Sequence, residues 1–393
     1  MEDKTTKDGI PFPWELGVFD AHCHPTDTMT SISDIPHMKA TALTVMSTRG
    51  EDQELVDEIA KQLGDYYHGS KHGNGKIVPC FGWHPWFAHQ IRVEGDGEDT
   101  TINAIESKTR HYRNVLTGTM GTEAENIAFF KTLPTPKPLS TLLSETKTRL
   151  LAHPNALVGE IGLDKAFRLP MPWQADELDS RNSGLTPGSR EGRKLSPYRV
   201  VIAHQKALLK AQLQLAGELR RAVSVHSVQG HGVVLECFQE LWRGYERKVE
   251  SKRRRKKMVD QERNEEEEDD DDDDKEKEVD ATPLPYPPRI CMHSYSGSPE
   301  AMKQLLHSSV PSDVYFSFST VINFTGPTVN RVKSTLEALP DDRILIESDL
   351  HTAGKQMDDL LEDVVRTVCH VKGWSLEDGT KLLAENWRRF VFG

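Results

Sequence analysis

Short apolar runs rich in β-branched residues alternate with amphipathic stretches along most of the chain. Eight runs predict strands, over residues 17–22, 42–47, 76–82, 156–161, 222–226, 289–293, 314–322 and 343–347. Eight amphipathic stretches predict helices, over residues 52–63, 141–152, 199–220, 232–247, 299–307, 328–339, 357–371 and 376–390. This alternation is typical of βα units around a parallel sheet, and eight units favour a closed α/β barrel of the (β/α)8, or TIM, type.

Three stretches interrupt the repeat. Residues 92–138 and 168–198 contain polar and proline-rich segments, and we expect them to be long loops or insertions at the top of the barrel. Residues 248–288 are so rich in charge that they cannot bury enough apolar surface to fold, which predicts a disordered charged insertion. We therefore expect a flexible N-terminus over residues 1–14 and a single barrel domain over residues 15–393.

The charge of the chain is concentrated in the third insertion. Residues 248–280 hold 16 acidic and 10 basic side chains, a net charge of −6 out of the formal −12 of the whole chain. The rest is only mildly acidic, so any contact with a nucleic acid has to come from a local site. The basic run at 252–257 is a candidate nuclear localisation signal or DNA-contacting arm, but the adjacent acidic run favours a solvated, charge-balanced linker.

The five cysteines are far apart, with no spacing typical of a zinc or redox motif, which predicts free thiols in a reducing compartment. The N-terminus lacks an apolar core, and no run of 18 apolar residues occurs. We therefore expect no membrane partner and a cytoplasmic or nuclear location.

The first predicted strand ends in FDAHCH, with histidines at positions 22 and 24. Residues two apart in a strand point to the same side, so His22 and His24 can bind one metal ion. A His-x-His pair alone is weak evidence. Its position at the carboxyl end of a barrel strand strengthens it, because catalytic groups lie at that end.

Four further candidate ligands lie at the ends of other strands, namely Glu160, His226, His293 and Asp349. Each one alone could be a structural polar group, such as a carboxylate paired with an arginine or a histidine bonded to a carbonyl. Six such groups around one cavity are hard to explain in that way, because burying them without a cation would cost several kcal/mol each.

Four imidazoles and two carboxylates are more ligands than one tetrahedral ion needs, so the sequence predicts two divalent ions. We expect His22, His24 and Asp349 to hold one ion, and His226 and His293 to hold the other. Glu160 is the expected bridge, and a water activated by both ions is the expected nucleophile. Asp349 is a candidate general base. The ligand types suit Mg, Mn or Zn and do not choose among them.

These motifs resemble, in the same order, those of the TatD family of metal-dependent deoxyribonucleases, within the amidohydrolase-like TIM barrels. The matching segments are FDAHCHPTD, CFGWHPW, VGEIGLD, VSVHS, MHSYSG, ILIESD and AENWRRFVFG. The resemblance implies hydrolysis of DNA phosphodiester bonds, from the 3′ end in the 3′-5′ direction, with a divalent metal such as Mg. The resemblance also implies that the partner is DNA, bound as a single strand or at a 3′ end.

The sequence also departs from the family pattern beside the site. Leu350 and His351 follow Asp349 where a small residue and proline are usual, and Lys165 and Ala166 follow the fourth strand where an aromatic residue is usual. The overall layout is similar to a fungal branch named for interaction with a cell-cycle ubiquitin-ligase subunit. That resemblance implies a possible protein partner, bound through the charged insertion.

Four residues near the predicted site are candidates for binding substrate. His84 lies in the His-Pro loop that borders the pocket of the family it resembles, and it could donate to a phosphate oxygen. Trp83 and Trp86 could stack on a base, or they could simply pack over the barrel. Lys165, with Arg168, could contact a phosphate, although both could equally be exposed surface charges.

Two other functions are compatible with the same sequence. The ligand set would also activate water for attack on a small amide or lactone, as in an amidohydrolase. The chain could instead be a weakly active adaptor that binds partners, although its complete ligand set argues against this.

Overall fold

The computed structural model describes residues 10–64, 66, 75–93, 104–174, 176–248 and 282–393. Each of the eight predicted strands is present within a few residues of its expected bounds, which confirms the α/β barrel class. The strands are β1 (Phe19–Cys23), β2 (Ala42–Met46), β3 (Ile77–Cys80), β4 (Val158–Asp164), β5 (Val223–Val228), β6 (Arg289–Met292), β7 (Asp313–Phe318) and β8 (Ile344–Ile346).

The eight strands are parallel and form two adjoining sheets. One sheet contains β1, β2 and β3, and the other contains β8, β7, β6, β5 and β4 in that order. Cys80 and Leu157 form an isolated parallel bridge between β3 and the start of β4. At the other seam the Asp349 N–H donates to the His22 carbonyl at 3.0 Å. The strand order is that of a (β/α)8 barrel whose ladder is interrupted at both seams.

Helices follow the strands and pack around them. They are α1 (Gly50–Leu63), α2 (Ala104–Val115), α3 (Glu123–Thr132), α4 (Leu139–Ala152), α5 (Ile202–Glu218), α6 (His231–Trp242), α7 (Pro299–Leu305), α8 (Thr320–Asn323), α9 (Val329–Ala338), α10 (Lys355–Lys372) and α11 (Leu376–Phe392). None of the helices in the described ranges is both long enough and apolar enough to cross a membrane. The predicted strand 314–322 is too long, because Ser319 caps α8 by accepting from the Ile322 N–H.

The last helix covers one end of the barrel. Trp387 of α11 is 1% exposed and stacks on Phe19 of β1, with ring centroids 4.4 Å apart. Its indole N–H donates to the Thr44 hydroxyl of β2 at 3.0 Å. Packed apolar side chains fill this end of the barrel. The polar side chains of the strands lie at the opposite, carboxyl end.

The insertions differ in how much structure they hold. Residues 92–138 do not form a simple loop, because they include α2 and α3, whose Tyr112, Phe129 and Phe130 pack in a separate apolar cluster. The segment 168–198 is bridged to the barrel, where Leu185 pairs with Thr28. Of the predicted charged insertion, residues 249–281 lie outside the described ranges, as do residues 1–9 of the predicted N-terminal segment.

Three buried histidines beside this apolar cluster predict a dependence of stability on pH. Burial, followed by the neighbouring His111 and His204, lowers the pKa of His89 to about 3. His89 is 4% exposed, and its Nδ1 has no hydrogen-bond partner among the described residues. Below about pH 6.5 this imidazole is protonated in the unfolded chain but stays neutral in the folded chain. The free energy of unfolding therefore decreases as the pH falls from about 6.5 towards 3.

We expect this histidine to contribute a loss of at most about 2 kcal/mol in the free energy of unfolding between pH 7.5 and pH 5. Urea unfolding of wild type and His89→Gln at both pH values measures it. The variant should lose part of the pH dependence, whereas His37→Gln, which changes an exposed histidine, should keep it. Equal pH dependence in wild type and His89→Gln would contradict the assignment.

Candidate metal centre

The structure brings all six predicted ligands together at the carboxyl end of the barrel. His22 and His24 come from the end of β1, Glu160 from β4 and His226 from β5, while His293 and Asp349 directly follow β6 and β8. The four histidines and Glu160 are at most 8% exposed. Strand ends place side chains from distant parts of the sequence around one point, which explains why residues up to 327 positions apart can meet.

Glu160 lies at the centre of this cluster. Its Oε2 is 3.4 Å from His22 Nε2 and 3.3 Å from His24 Nε2. Its Oε1 is 2.8 Å from His226 Nδ1 and 2.9 Å from His293 Nε2. Each carboxylate oxygen therefore faces one pair of imidazoles, which is the arrangement expected of a group shared between two ligand sets.

Asp349 faces the first of these pairs. Its Oδ1 is 3.6 Å from His24 Nε2 and 4.0 Å from His22 Nε2. Its backbone has a φ of +54°, in the left-handed region that is unfavourable for a non-glycine residue, and its N–H is bonded to the His22 carbonyl. The chain thus holds this carboxylate beside His22 and His24 in a conformation that a free loop would avoid.

Hydrogen bonds to outer groups fix the orientation of two of the four imidazoles, and a carboxylate lies near the outer nitrogen of a third, beyond hydrogen-bond distance. His22 Nδ1 is 2.8 Å from the Ser224 hydroxyl, and His226 Nε2 is 3.3 Å from Asp164 Oδ2. His293 Nδ1 faces Glu347 Oε1 at 3.6 Å. When these outer nitrogens carry the proton, the inner nitrogens that face Glu160 keep their lone pairs, which is the tautomer that a metal ligand needs.

The arrangement of donors fits divalent metal ions. His22 Nε2 and His24 Nε2 are 3.1 Å apart, as are His226 Nδ1 and His293 Nε2. Two nitrogens bound to one ion at about 2.1 Å lie roughly 3.0–3.4 Å apart, depending on the coordination angle. Two buried lone pairs at this distance repel each other unless a cation or a proton lies between them. The residues present therefore fit one ion at each pair.

The electrostatics of the cluster are dominated by burial and by the shared carboxylate. Burial opposes ionisation of Glu160, but His84, His293 and His22 outweigh it and hold the pKa of this carboxyl well below its usual range. Burial also lowers the pKa of His24 well below its usual value, so that imidazole is neutral. At the other pair, burial lowers the pKa of each imidazole, but the acids outweigh it: Asp164 and Glu160 raise the pKa of His226, and Glu160 and Glu347 raise the pKa of His293. An ionised carboxylate beside imidazoles is a donor set suited to a divalent cation, which would take the place of the protons that these acids favour.

His84 contacts the same carboxylate but differs from the four predicted ligands. Its Nδ1 accepts the backbone N–H of Trp86, so its Nε2 carries the proton and donates to Glu160 Oε1 at 3.1 Å. Burial lowers its pKa to about 4, which keeps the ring neutral. His84, Glu160 and His226 are close enough to hold an ion, but the proton on Nε2 makes His84 a hydrogen-bond donor.

The other predicted substrate-binding residues fall into two groups. Trp83 is 3% exposed, and its indole N–H donates to the Phe87 carbonyl at 2.9 Å, which favours packing, the second of the two roles predicted for it. Trp86 is partly exposed beside His84, with ring centroids 4.7 Å apart. Lys165 and Arg168 are exposed, and they flank in sequence the Phe167 whose ring stacks on Trp86.

Three residues of the site were not singled out in the sequence, namely Asp164, Ser224 and Glu347. Two of them carry a signal in hindsight. Asp164 follows Glu160 by four residues in one strand, and Glu347 precedes Asp349 by two, so both follow the alternation that places side chains on one face. Ser224 gives no such signal, because a small hydroxyl residue in a strand is common for structural reasons.

A (β/α)8 barrel with a buried cluster of imidazoles and carboxylates at its carboxyl end belongs to the class of metal-dependent hydrolases. The TatD related DNase family matches residues 19–392. The chain belongs to that family, and it is a hydrolase of the TatD type.

Known proteins agree with this assignment. The chain is 36% identical over 379 residues to the Cut9-interacting protein scn1 of Schizosaccharomyces pombe, covering 95% of this chain and 98% of that protein. It is 27% identical to an uncharacterized deoxyribonuclease of Saccharomyces cerevisiae, covering 84% of this chain and 82% of that protein. The crystal structure of an uncharacterized amidohydrolase from Saccharomyces cerevisiae has the same fold, with a TM-score of 0.52 at 11% identity, covering 97% of this chain and all of that one.

Proposed function

We propose that this chain is a deoxyribonuclease that hydrolyses phosphodiester bonds from the 3′ end of a strand, with two divalent ions. The observation that carries the proposal is the division of the four imidazoles into two pairs, each facing one oxygen of Glu160. One ion would be held by His22, His24 and Asp349, and the other by His226 and His293. Mg is the expected metal, with Mn and Zn as alternatives.

Bound divalent ions supply a Lewis acid for the phosphate and increase the acidity of a nearby water. The protein supplies the other steps. Asp349 is only partly buried and lies at the cluster, so it would accept the proton of the attacking water. His84 would keep Glu160 oriented through its Nε2–H. Donation to a phosphate oxygen, the role predicted from the sequence, would require this one N–H to leave Glu160, because Nδ1 accepts from Trp86. Asp164, Ser224 and Glu347 would hold the imidazoles in the tautomers described above.

The proposal is tested by incubating the purified chain with single-stranded DNA labelled at the 5′ or the 3′ end. In Mg, a 5′ label should give a ladder that shortens with time, and a 3′ label should be released as a mononucleotide. EDTA should stop both. If the protein with Mg, Mn or Zn degrades no DNA while it still binds metal, the proposed substrate is wrong and the metal site remains.

An alternative substrate class is a small amide or lactone, because the same ligands would serve an amidohydrolase. A panel of such substrates, tested with the same protein and metals, distinguishes the two. The exposed Lys165 and Arg168 beside the site favour a polyanionic substrate.

The name of the scn1 relative also supports a protein partner for this chain. We propose that a cell-cycle ubiquitin-ligase subunit binds through the charged segment, and that the protein acts in the cytoplasm or nucleus. Deletion of residues 249–281 should then abolish binding to that subunit while DNA hydrolysis continues. Binding that survives the deletion would exclude this segment as the contact.

A further inference from the structure

An aromatic pair lies at the mouth of the barrel beside the metal cluster. The rings of Trp86 and Phe167 are stacked, with centroids 4.7 Å apart and an interplanar angle of 10°. Both side chains are partly exposed. Trp86 also contacts the His84 ring, at an interplanar angle of 80°. Phe167 has no aromatic ring other than Trp86 next to it among the described residues. One face of Phe167 is therefore covered by Trp86, and the side chain also packs against the apolar cluster that contains Leu169 and Tyr198, so only part of the ring is exposed.

One carboxylate fixes both rings. Asp164 Oδ2 accepts the indole N–H of Trp86 at 2.5 Å, and Asp164 Oδ1 accepts the backbone N–H of Phe167 at 2.9 Å. The same Oδ2 lies 3.3 Å from His226 Nε2, so the aromatic pair is tied to an imidazole of the metal cluster. Gln205 of α5 in turn binds both the N–H and the carbonyl of Asp164. The pair is thus preorganised at a fixed position relative to the metal cluster.

The short segment that carries Phe167 is anchored on both sides and flanked by positive charge. Lys165 N–H donates to the Val228 carbonyl at 3.1 Å, and Leu169 N–H donates to the Tyr198 carbonyl at 3.0 Å. Between these anchors, Lys165 and Arg168 are exposed. A partly exposed aromatic ring with exposed cations on either side of it in the chain is a combination by which proteins bind single-stranded nucleic acid.

We propose that Phe167 is the stacking surface for a nucleobase of the strand being cleaved, and that Lys165 and Arg168 contact its phosphates. The proposal rests on the proposed function and specifies its substrate as nucleic-acid ends in single-stranded form. The rings of Trp86 and Phe167 are too close for a base to enter between them, so the base would stack on the part of the Phe167 ring that is exposed. A base within a duplex is already stacked on both sides, so it reaches this surface only after the end has frayed.

Binding is measured by fluorescence anisotropy with a labelled single-stranded oligonucleotide in EDTA, so that no strand is cut. Phe167→Leu should weaken binding on the order of tenfold, whereas Phe167→Tyr, which keeps the ring, should bind like wild type. Tyr245→Leu removes a more exposed ring beyond the end of α6 and should have no effect. A Phe167→Leu variant that binds like wild type overturns the proposal.

A second measurement uses strands whose terminal nucleotide is abasic. Wild type with Mg should cut the normal end on the order of tenfold faster than the abasic end, and Phe167→Leu should cut both at the same slow rate. If wild type cuts both ends equally, base stacking is wrong while the nuclease assignment survives. If wild type cuts no DNA but the anisotropy results hold, the proposed hydrolysis is wrong and the binding surface remains.

Discussion

Replacing Glu160 by glutamine is expected to lower hydrolysis on the order of 10³-fold or more and to remove bound divalent metal. Its two oxygens each face a pair of imidazole nitrogens at 2.8–3.4 Å, so this one carboxylate serves both proposed ions. Glutamine keeps the shape and one acceptor oxygen but removes the negative charge. The measurement combines single-turnover cleavage of single-stranded DNA with elemental analysis of the metal content per chain.

Glu385→Gln is the matched control, because it makes the same change on the exposed face of α11. It should keep wild-type metal content and activity. Circular dichroism of Glu160→Gln should remain unchanged, which separates loss of metal from loss of fold. A Glu160→Gln variant that keeps two ions per chain would show that Glu160 is not their shared ligand.

The positions of the barrel strands, and the meeting of the six candidate ligands, could be predicted from the sequence because both follow from a strong periodic pattern. Strands that are buried on both faces are nearly continuous apolar runs, so a polar group at the end of such a run is conspicuous. His226 and His293 are examples, since each follows an apolar run and each contacts Glu160 in the structure. The barrel topology then dictates that strand ends meet.

The remaining features depend on contacts between residues that no local pattern connects. Trp83 and Trp86 are three residues apart in the same loop, but Trp83 is enclosed and bonded to Phe87, whereas Trp86 is partly exposed and bonded to Asp164. The helices α2 and α3 lie in a polar segment whose apolar residues become a core only together with distant residues such as Phe87, Tyr198 and Leu208. Composition alone therefore cannot distinguish them from a loop.

The proton on His84 is a further property that only the structure reveals. From the sequence, His84 is expected to contact substrate beside the six candidate ligands. The backbone N–H of Trp86 occupies Nδ1, which fixes the proton on Nε2 and turns His84 into a donor. His22 and His226, whose outer nitrogens are hydrogen-bonded to Ser224 and Asp164, can direct a lone pair inward, whereas His84 directs a hydrogen at Glu160. The position of the proton on the imidazole, more than the residue type, therefore distinguishes a histidine that could bind a metal from one that only orients Glu160.

Asp349→Asn is expected to slow hydrolysis by about 10²–10⁴-fold while leaving at least one ion per chain. Asp349 Oδ1 faces only the first pair, at 3.6 Å from His24 and 4.0 Å from His22, and His226 and His293 contact Glu160 instead. An amide oxygen can still bind a metal but cannot accept the proton of the attacking water, so the rate should fall more than the metal content. Single-turnover cleavage and elemental analysis measure the two effects, with the exposed Asp359→Asn of α10 as the matched control. A variant that loses both ions would assign Asp349 to the shared position, and one that cuts within about threefold of wild type would exclude it as the base.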